Sequence, residues 1–255
     1  MVVELMRDWT TEFFTAPALD AWQRSRSHAT TQAEVEFLSH ALRLGSERRR
    51  LLDVPCGDGR HAVGLAQRGH AVTGIDIAVD NEARVRQLAI AADLAIDFVL
   101  GDMRNLPDRP AFDGAYCFGN SFGYFPRPET TSFLVALAKT LSPSARFVID
   151  TACAAESILL DLNRQSWVRV DDGLVLLLRC EYDARHSRLD TTYTSIQDGR
   201  LTDERTSHHY IFTSGEIVAM LDTAGFTTQA LLGDLDGSQF ELGSERLLLI
   251  ARRRG

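Results

Sequence analysis

The stretch LLDVPCGDGRHA, Leu51 to Ala62, decides how the rest of the chain is read. An apolar run over 51–54 stops at a loop carrying Gly57 and Gly59, and a helical pattern starts at about residue 60. Glycines let a backbone approach a ligand closely, and a helix start offers N–H groups that have no partner inside the helix. Strand, glycine loop and helix in that order open a βαβ unit, because parallel strands need a crossover.

The alternation continues outward. Strands are predicted over 51–54, 71–75, 96–100, 112–118 and 146–149, with helices at about 60–68, 80–92 and 129–141. Upstream, Thr31 with Glu34 reads as a capping box, Val35, Leu38 and Leu42 form an apolar stripe, and Gly45 is the stop. The pattern changes after Asp150. Strand-like runs at 167–170, 174–182, 189–196 and 205–212 are separated by turn signals at Asp172-Gly173, His186-Ser187 and Asp198-Gly199. A helix at 214–224, capped by Ser214, and strands near 227–232 and 246–252 close the chain. The expected fold class is α/β, a Rossmann-like, mostly parallel sheet with helices on both faces. It is read as a single domain over 1–255: an N-terminal helical cap at 1–45, a core at 46–152 and 213–255, and an antiparallel β insertion at 160–212.

Composition narrows the function. At 255 residues with 45% hydrophobic and 24% charged side chains, the chain can bury a sizeable core. A net charge of −8 argues against a nucleic-acid partner, which needs a basic face. Lys139 is the only lysine, so any local basic patch must be built of arginine. No apolar run approaches the roughly 20 residues of a membrane span. Glu4, Arg7 and Asp8 stand where a secretory signal would be apolar. Cys56, Cys117, Cys153 and Cys180 are far apart, so reduced thiols and no metal site are expected. These features predict a cytoplasmic enzyme of small molecules, with a homodimer left open.

Three successive strands end in a glycine loop or an acid: Gly57 and Gly59, then Asp76, then Gly101-Asp102-Met103. Open α/β sheets bind ligands at that edge, and an acid after the second strand can accept both hydroxyls of an adenosine ribose. Gly57-x-Gly59-x-x-Ala62 also fits a dinucleotide fingerprint. Asp53 and Asp58 flank the loop where a pyrophosphate would sit, which disfavours an anion and suits a cationic ligand. The loop Phe118 to Phe125, FGNSFGYF, follows the fourth strand, and Asn120, Ser121 and Tyr124 are the first picks for substrate contacts.

The segments LLDVPCGDGRHA, VTGIDI, GDMRNLP and FDGAYCFGNSFGYF resemble, in order and spacing, those of the class I S-adenosylmethionine-dependent methyltransferases. The specific motifs lie within 51–125, and the architecture extends over roughly 30–255. The resemblance implies a seven-stranded sheet with one antiparallel strand near the C-terminus, and S-adenosyl-L-methionine as cofactor. It implies that Asp53, Gly57 and Gly59 approach the methionine part. Asp76 would hold the ribose diol and Asp102 the adenine amino group, with Ile77 and Met103 sandwiching the ring. Phe118 would lie beside the methionyl moiety, and Cys56 and Gly101 complete the cofactor set. The expected reaction is in-line methyl transfer to a small molecule. The alternatives are an NAD(P)-dependent oxidoreductase and an S-adenosylmethionine-binding protein that transfers nothing.

No base stands out. His208, His209 and Tyr210 are weak candidates, and adjacent His208 and His209 must point to opposite faces of a strand. His61 is expected to brace the first loop, and packing is the default for Tyr182, Tyr193 and Tyr210. Trp9, Phe13, Phe14 and Trp22 precede the first capped helix without a period. Large apolar side chains are costly to leave in water, so they are expected to form a lid over the ligand edge rather than plain core, with Phe14 and Trp22 touching substrate.

Overall fold

The computed structural model describes residues 9–15, 26–106 and 112–255. Trp22 lies outside the described residues. Seven strands form the main sheet: β1 (Arg50–Asp53), β2 (Ala71–Asp76), β3 (Ile96–Leu100), β4 (Phe112–Cys117), β5 (Leu141–Thr151), β10 (Phe226–Leu232) and β11 (Leu247–Arg253). Their order is β10-β11-β5-β4-β1-β2-β3. β11 runs antiparallel to both β5 and β10, and the remaining pairs are parallel. Four further strands, β6 (Gln165–Arg169), β7 (Leu174–Asp183), β8 (Arg188–Gln197) and β9 (Arg200–Tyr210), make a separate antiparallel sheet.

Period-2 alternation distributes the core strands between two helical layers. Leu51, Tyr116, Val148 and Leu248 pack with Val35 and Leu38 of α2 (His28–Ala41) and Leu65 of α3 (Arg60–Gln67). Their neighbours Leu52, Ala115, Phe147 and Leu249 pack on the opposite face. There they meet Phe133 and Leu137 of α5 (Arg127–Thr140) and Ile217 and Leu221 of α7 (Ser214–Thr223). Between α3 and α5 in sequence lies α4 (Val79–Ala91), whose Val85 packs on Phe98 of β3. Two short helices, α1 (Trp9–Phe13) and α6 (Ala155–Ile158), complete the described elements.

Local chemistry corrects several expected boundaries. The N-cap of α2 is Ser27, whose hydroxyl accepts the Thr30 N–H at 3.0 Å, so Thr31 and Glu34 form no capping box. Glu34 is buried instead, and its partners lie in α3. The capping box of α7 uses Thr213 with Glu216, one residue before the expected Ser214. β9 starts at Arg200 rather than 205, because Asp198 and Gly199, both at positive φ, make a two-residue hairpin that pairs Gln197 with Arg200.

Candidate functional site

Strand order reverses between β1 and β4, so the loops after them diverge and leave a crevice at the C-terminal edge. The loop 54–59 is bolted down before any ligand arrives. The Cys56 N–H donates to Ile75 O at 2.9 Å and the Gly59 N–H to Cys56 O at 3.0 Å. Gly59, at φ +75, brings α3 against α4, where a Cβ would lie 2.8 Å from Val85 Cγ2. Gly57, at φ +53, has open space where its Cβ would be. The Asp76 carboxylate joins the first two strand ends: Oδ2 accepts the Gly57 N–H at 2.7 Å and Oδ1 the Ala78 N–H at 2.8 Å. Burial raises the Asp76 carboxyl, against the hydrogen bonds from Ala78 and Gly57.

One cavity gathers the strand ends. Cys56, Gly57, Asp76, Ile77, Gly101, Asp102, Met103 and Phe118 line it from the core strand ends and the segments after them. Asn120, Ser121, Tyr124, Tyr193, Ser207 and His209 line it from the loop after β4 and from β8 and β9, and Thr10, Phe13 and Phe14 of the N-terminal segment also reach it. Gly59 does not line it and serves helix packing instead. Asp102 accepts from Arg104 at both oxygens, 3.0 and 2.9 Å from Nε. Asp53 departs most from expectation. It is 1% exposed, lies outside the cavity lining, and burial pushes its carboxyl well above the usual range. Of the two acids invoked against a pyrophosphate, only Asp58 lines the cavity.

Two guanidiniums that the sequence reading passed over, Arg26 and Arg60, also line the cavity. Arg60 is ion-paired with Glu34, which also meets His61 Nε2 at 3.0 Å. Burial alone would raise Glu34, but hydrogen bonds from His61 and Arg60 outweigh it and hold the carboxyl at about 2. Desolvation takes His61 down to about 4 despite Glu34. The Glu34–Arg60–His61 cluster therefore anchors α2 to the start of α3, with His61 a brace beside Phe118, ring centroids 5.0 Å apart. The signal for it was an acid inside the apolar stripe of α2.

On the acceptor side the expected roles shift. Asn120, at φ +67, spends its side chain on the end of β5: Oδ1 accepts the Ala152 N–H at 2.9 Å and the Thr151 hydroxyl at 3.1 Å, and Nδ2 donates to Cys153 Sγ at 3.6 Å. It braces the loop, and it also lines the cavity. Of the three candidate bases only His209 lines the cavity. His208 points to the other face, 2.6 Å from Asp190 Oδ1, with Trp9 stacked edge-on at 5.4 Å. Tyr210 meets Gly123 through its backbone, N–H to O at 2.7 Å, and its ring packs on the main core. Tyr193, read as packing, lines the cavity and faces Phe13 at 5.5 Å. The thiol of Cys56 is pushed up by burial, so it is a neutral lining group. Among the described residues no group of three or more His, Cys, Asp or Glu is placed to hold a metal ion, and no helix is long and apolar enough to cross a membrane.

This sheet order, with its single antiparallel strand and its cavity at the strand ends, is shared with solved methyltransferase structures. A family model described as methyltransferase domain matches residues 51–144. A ubiquinone biosynthesis O-methyltransferase of Alkalilimnicola ehrlichii is 31% identical over 126 residues, 49% of this chain and 49% of that protein. The chain thus spans about half the length of the curated relatives it matches. Among solved structures, the CcbJ methyltransferase of Streptomyces caelestis superposes with a TM-score of 0.81 at 18% identity, covering 98% of this chain and 100% of that one. The S-adenosylmethionine-bound amino pentose methyltransferase CalS10 of Micromonospora echinaspora gives 0.70 at 21% identity, covering 93% and 97%. At these identities the structural likeness is one of fold.

Proposed function

We propose that the chain binds S-adenosylmethionine in this cavity and transfers its methyl group to a small-molecule acceptor. The observation that carries the reading is Asp76: one carboxylate fastens the glycine loop through Gly57 and lines the cavity at the end of the second strand. That arrangement suits a vicinal diol. Gly57 leaves room for the amino-acid part, Met103 and Ile77 offer apolar faces to a purine, and Asp102 offers an acceptor to its amino group. S-adenosylmethionine supplies an electrophilic methyl carbon on a sulfonium. The chain's task is to orient the nucleophile in line with the C–S bond and to exclude water, and orientation alone contributes several kcal/mol. Phe13 and Phe14 line the cavity, which supports a lid role for the N-terminal segment.

The dinucleotide reading loses support from backbone geometry. The Gly57 and Gly59 N–H groups, which would cradle a pyrophosphate, are already donated to Asp76 and to Cys56 O. Titration calorimetry with S-adenosylhomocysteine and with NADH tests the reading on the full chain. Binding of the first alone is expected, and Asp76→Ala should weaken it by about 1.5–3 kcal/mol, the scale of hydrogen bonds to a charged group. No heat with S-adenosylhomocysteine, or an Asp76→Ala protein that is folded and binds normally, overturns it.

A further inference from the structure

The acceptor wall of the cavity comes from the insertion sheet. Ser207 and His209 sit two residues apart on β9 and share a face with Tyr193, whose cross-strand partner is Arg205. Ser207 is 2% exposed, lines the cavity, and its hydroxyl makes no hydrogen bond of ordinary geometry. The Tyr193 phenol is its side-chain hydrogen-bonding neighbour. A hydroxyl has one proton and two lone pairs, so Oγ keeps acceptor capacity toward the cavity when its proton goes to the phenol. His209 Nε2 lies 3.2 Å from Asn120 O. A carbonyl only accepts, so Nε2 carries the proton and Nδ1 keeps its lone pair.

Charge is distributed unevenly around the cavity. Asp58, Arg60, Asp76 and Asp102 come from the C-terminal ends of β1, β2 and β3 and the segments that follow them, and Arg26 lies within reach of Arg60, Asp58 and Tyr124. Tyr193, Ser207, Ser121 and Tyr124 are uncharged, and desolvation takes His209 down to about 4, which keeps its imidazole neutral near pH 7. A hydroxyl nucleophile must give up a proton as it attacks; this wall holds no carboxylate to take it, and an imidazole held down at about 4 is a weak base. An amine needs only its own lone pair, with an N–H left over for hydrogen bonding.

We propose that the β8–β9 wall is the acceptor subsite, and that it receives an uncharged amine whose N–H groups are held by His209 Nδ1 and Ser207 Oγ. The inference rests on the methyl-transfer reading above and names its substrate class. The nitrogen lone pair forms the N–C bond as the C–S bond breaks, the C–S electron pair stays on sulfur, and the proton shed by the resulting ammonium goes to water. His209 acts by orienting the nitrogen, and its hydrogen bond strengthens as positive charge develops there.

Sinefungin is the probe, because it carries an amine on carbon where S-adenosylmethionine carries its methyl on sulfur. Calorimetry on the full chain would compare sinefungin with S-adenosylhomocysteine for wild type, Ser207→Ala, His209→Ala and His209→Asn. Both alanine variants are expected to keep S-adenosylhomocysteine affinity within about twofold and to bind sinefungin about tenfold more weakly, the scale of one charge-assisted hydrogen bond. An asparagine amide oxygen can stand near the position of the former Nδ1, so His209→Asn should recover part of the loss. Equal losses for both ligands would make these residues scaffolding, and no loss for either would place the wall out of reach of the reacting centre. Each of those results overturns the proposal. If His209→Ala does not fold, Ser207→Ala decides alone. A wild-type chain that ignores S-adenosylhomocysteine sinks the methyl-transfer reading itself, and this inference with it.

Discussion

β1 and β4 end in residues buried on both faces, whereas β7 and β8 mix buried with half-open positions along their length. The two kinds of strand reach the cavity differently. The parallel strands contribute through the loops at their ends, where Asp76 and Asp102 follow from local geometry. The insertion strands contribute through a face, and that face is a wall only because the sheet docks against the Asn120–Tyr124 loop. A cofactor edge built from adjacent strand ends is therefore local to the core. An acceptor wall built from docking depends on contacts far apart in sequence.

Breaking each contact should separate the two regions by size of effect. The largest loss is expected for Glu34→Ala, which leaves Arg60 and His61 buried without their carboxylate. Removing one partner of a buried ion pair costs about 3–5 kcal/mol, measurable by denaturant unfolding. The pH dependence follows in sign. The folded-state value of Glu34 is held at about 2, below the 4.5 of the free group. Its stabilisation is thus complete above 4.5 and lost as pH falls through about 2. Wild type should show that acid slope and the variant should lack it. An unchanged slope would mean that the pair is not formed in solution.

A smaller loss, about 1–3 kcal/mol, is expected for Gly123→Ala. Gly123 sits at φ +103 where the core loop meets β9, and an added Cβ would lie 2.8 Å from Tyr210 O. The damage should concentrate at the seam, with hydrogen exchange accelerating in β9 and the loop before it spreads to β1 or β4. Uniform acceleration would show that the two sheets unfold as one unit.

The smallest effect is reserved for Arg205→Ala. The Arg205 guanidinium donates to Phe13 O at 3.3 Å and also meets Glu12 O and Thr15, tying the C-terminal end of α1 to β9. A cation at a helix C-terminus is worth about 0.3–1 kcal/mol. Amides within 9–15 should exchange faster in the variant and gain less protection when S-adenosylhomocysteine is added. Exchange there that matches wild type would remove the strap from the lid.

Much of the cofactor side was legible from residues 51–125 because each feature is local: a glycine that must turn, an acid one residue past a buried strand, a helix start. Asp53 misled, since the sequence shows an acid beside a glycine loop but not that the strand end is sealed from water. For Asn120 the sequence shows a polar residue in a loop after β4 but gives no sign of its partners at Thr151 and Ala152.

Local pattern was enough for the alternation of strands and helices, the apolar faces of β1, β4 and β5, and the acids Asp76 and Asp102 at or just past the ends of β2 and β3. Periodicity and turn chemistry act over a few residues, so they can be read in order along the chain. Long-range packing settled that His209 rather than His208 faces the cavity, that Ser207 lies beside Tyr193, and that Glu34 meets Arg60. Those outcomes depend on which face of a strand or helix is docked against what, and docking is set by burial summed over residues tens to hundreds of positions apart.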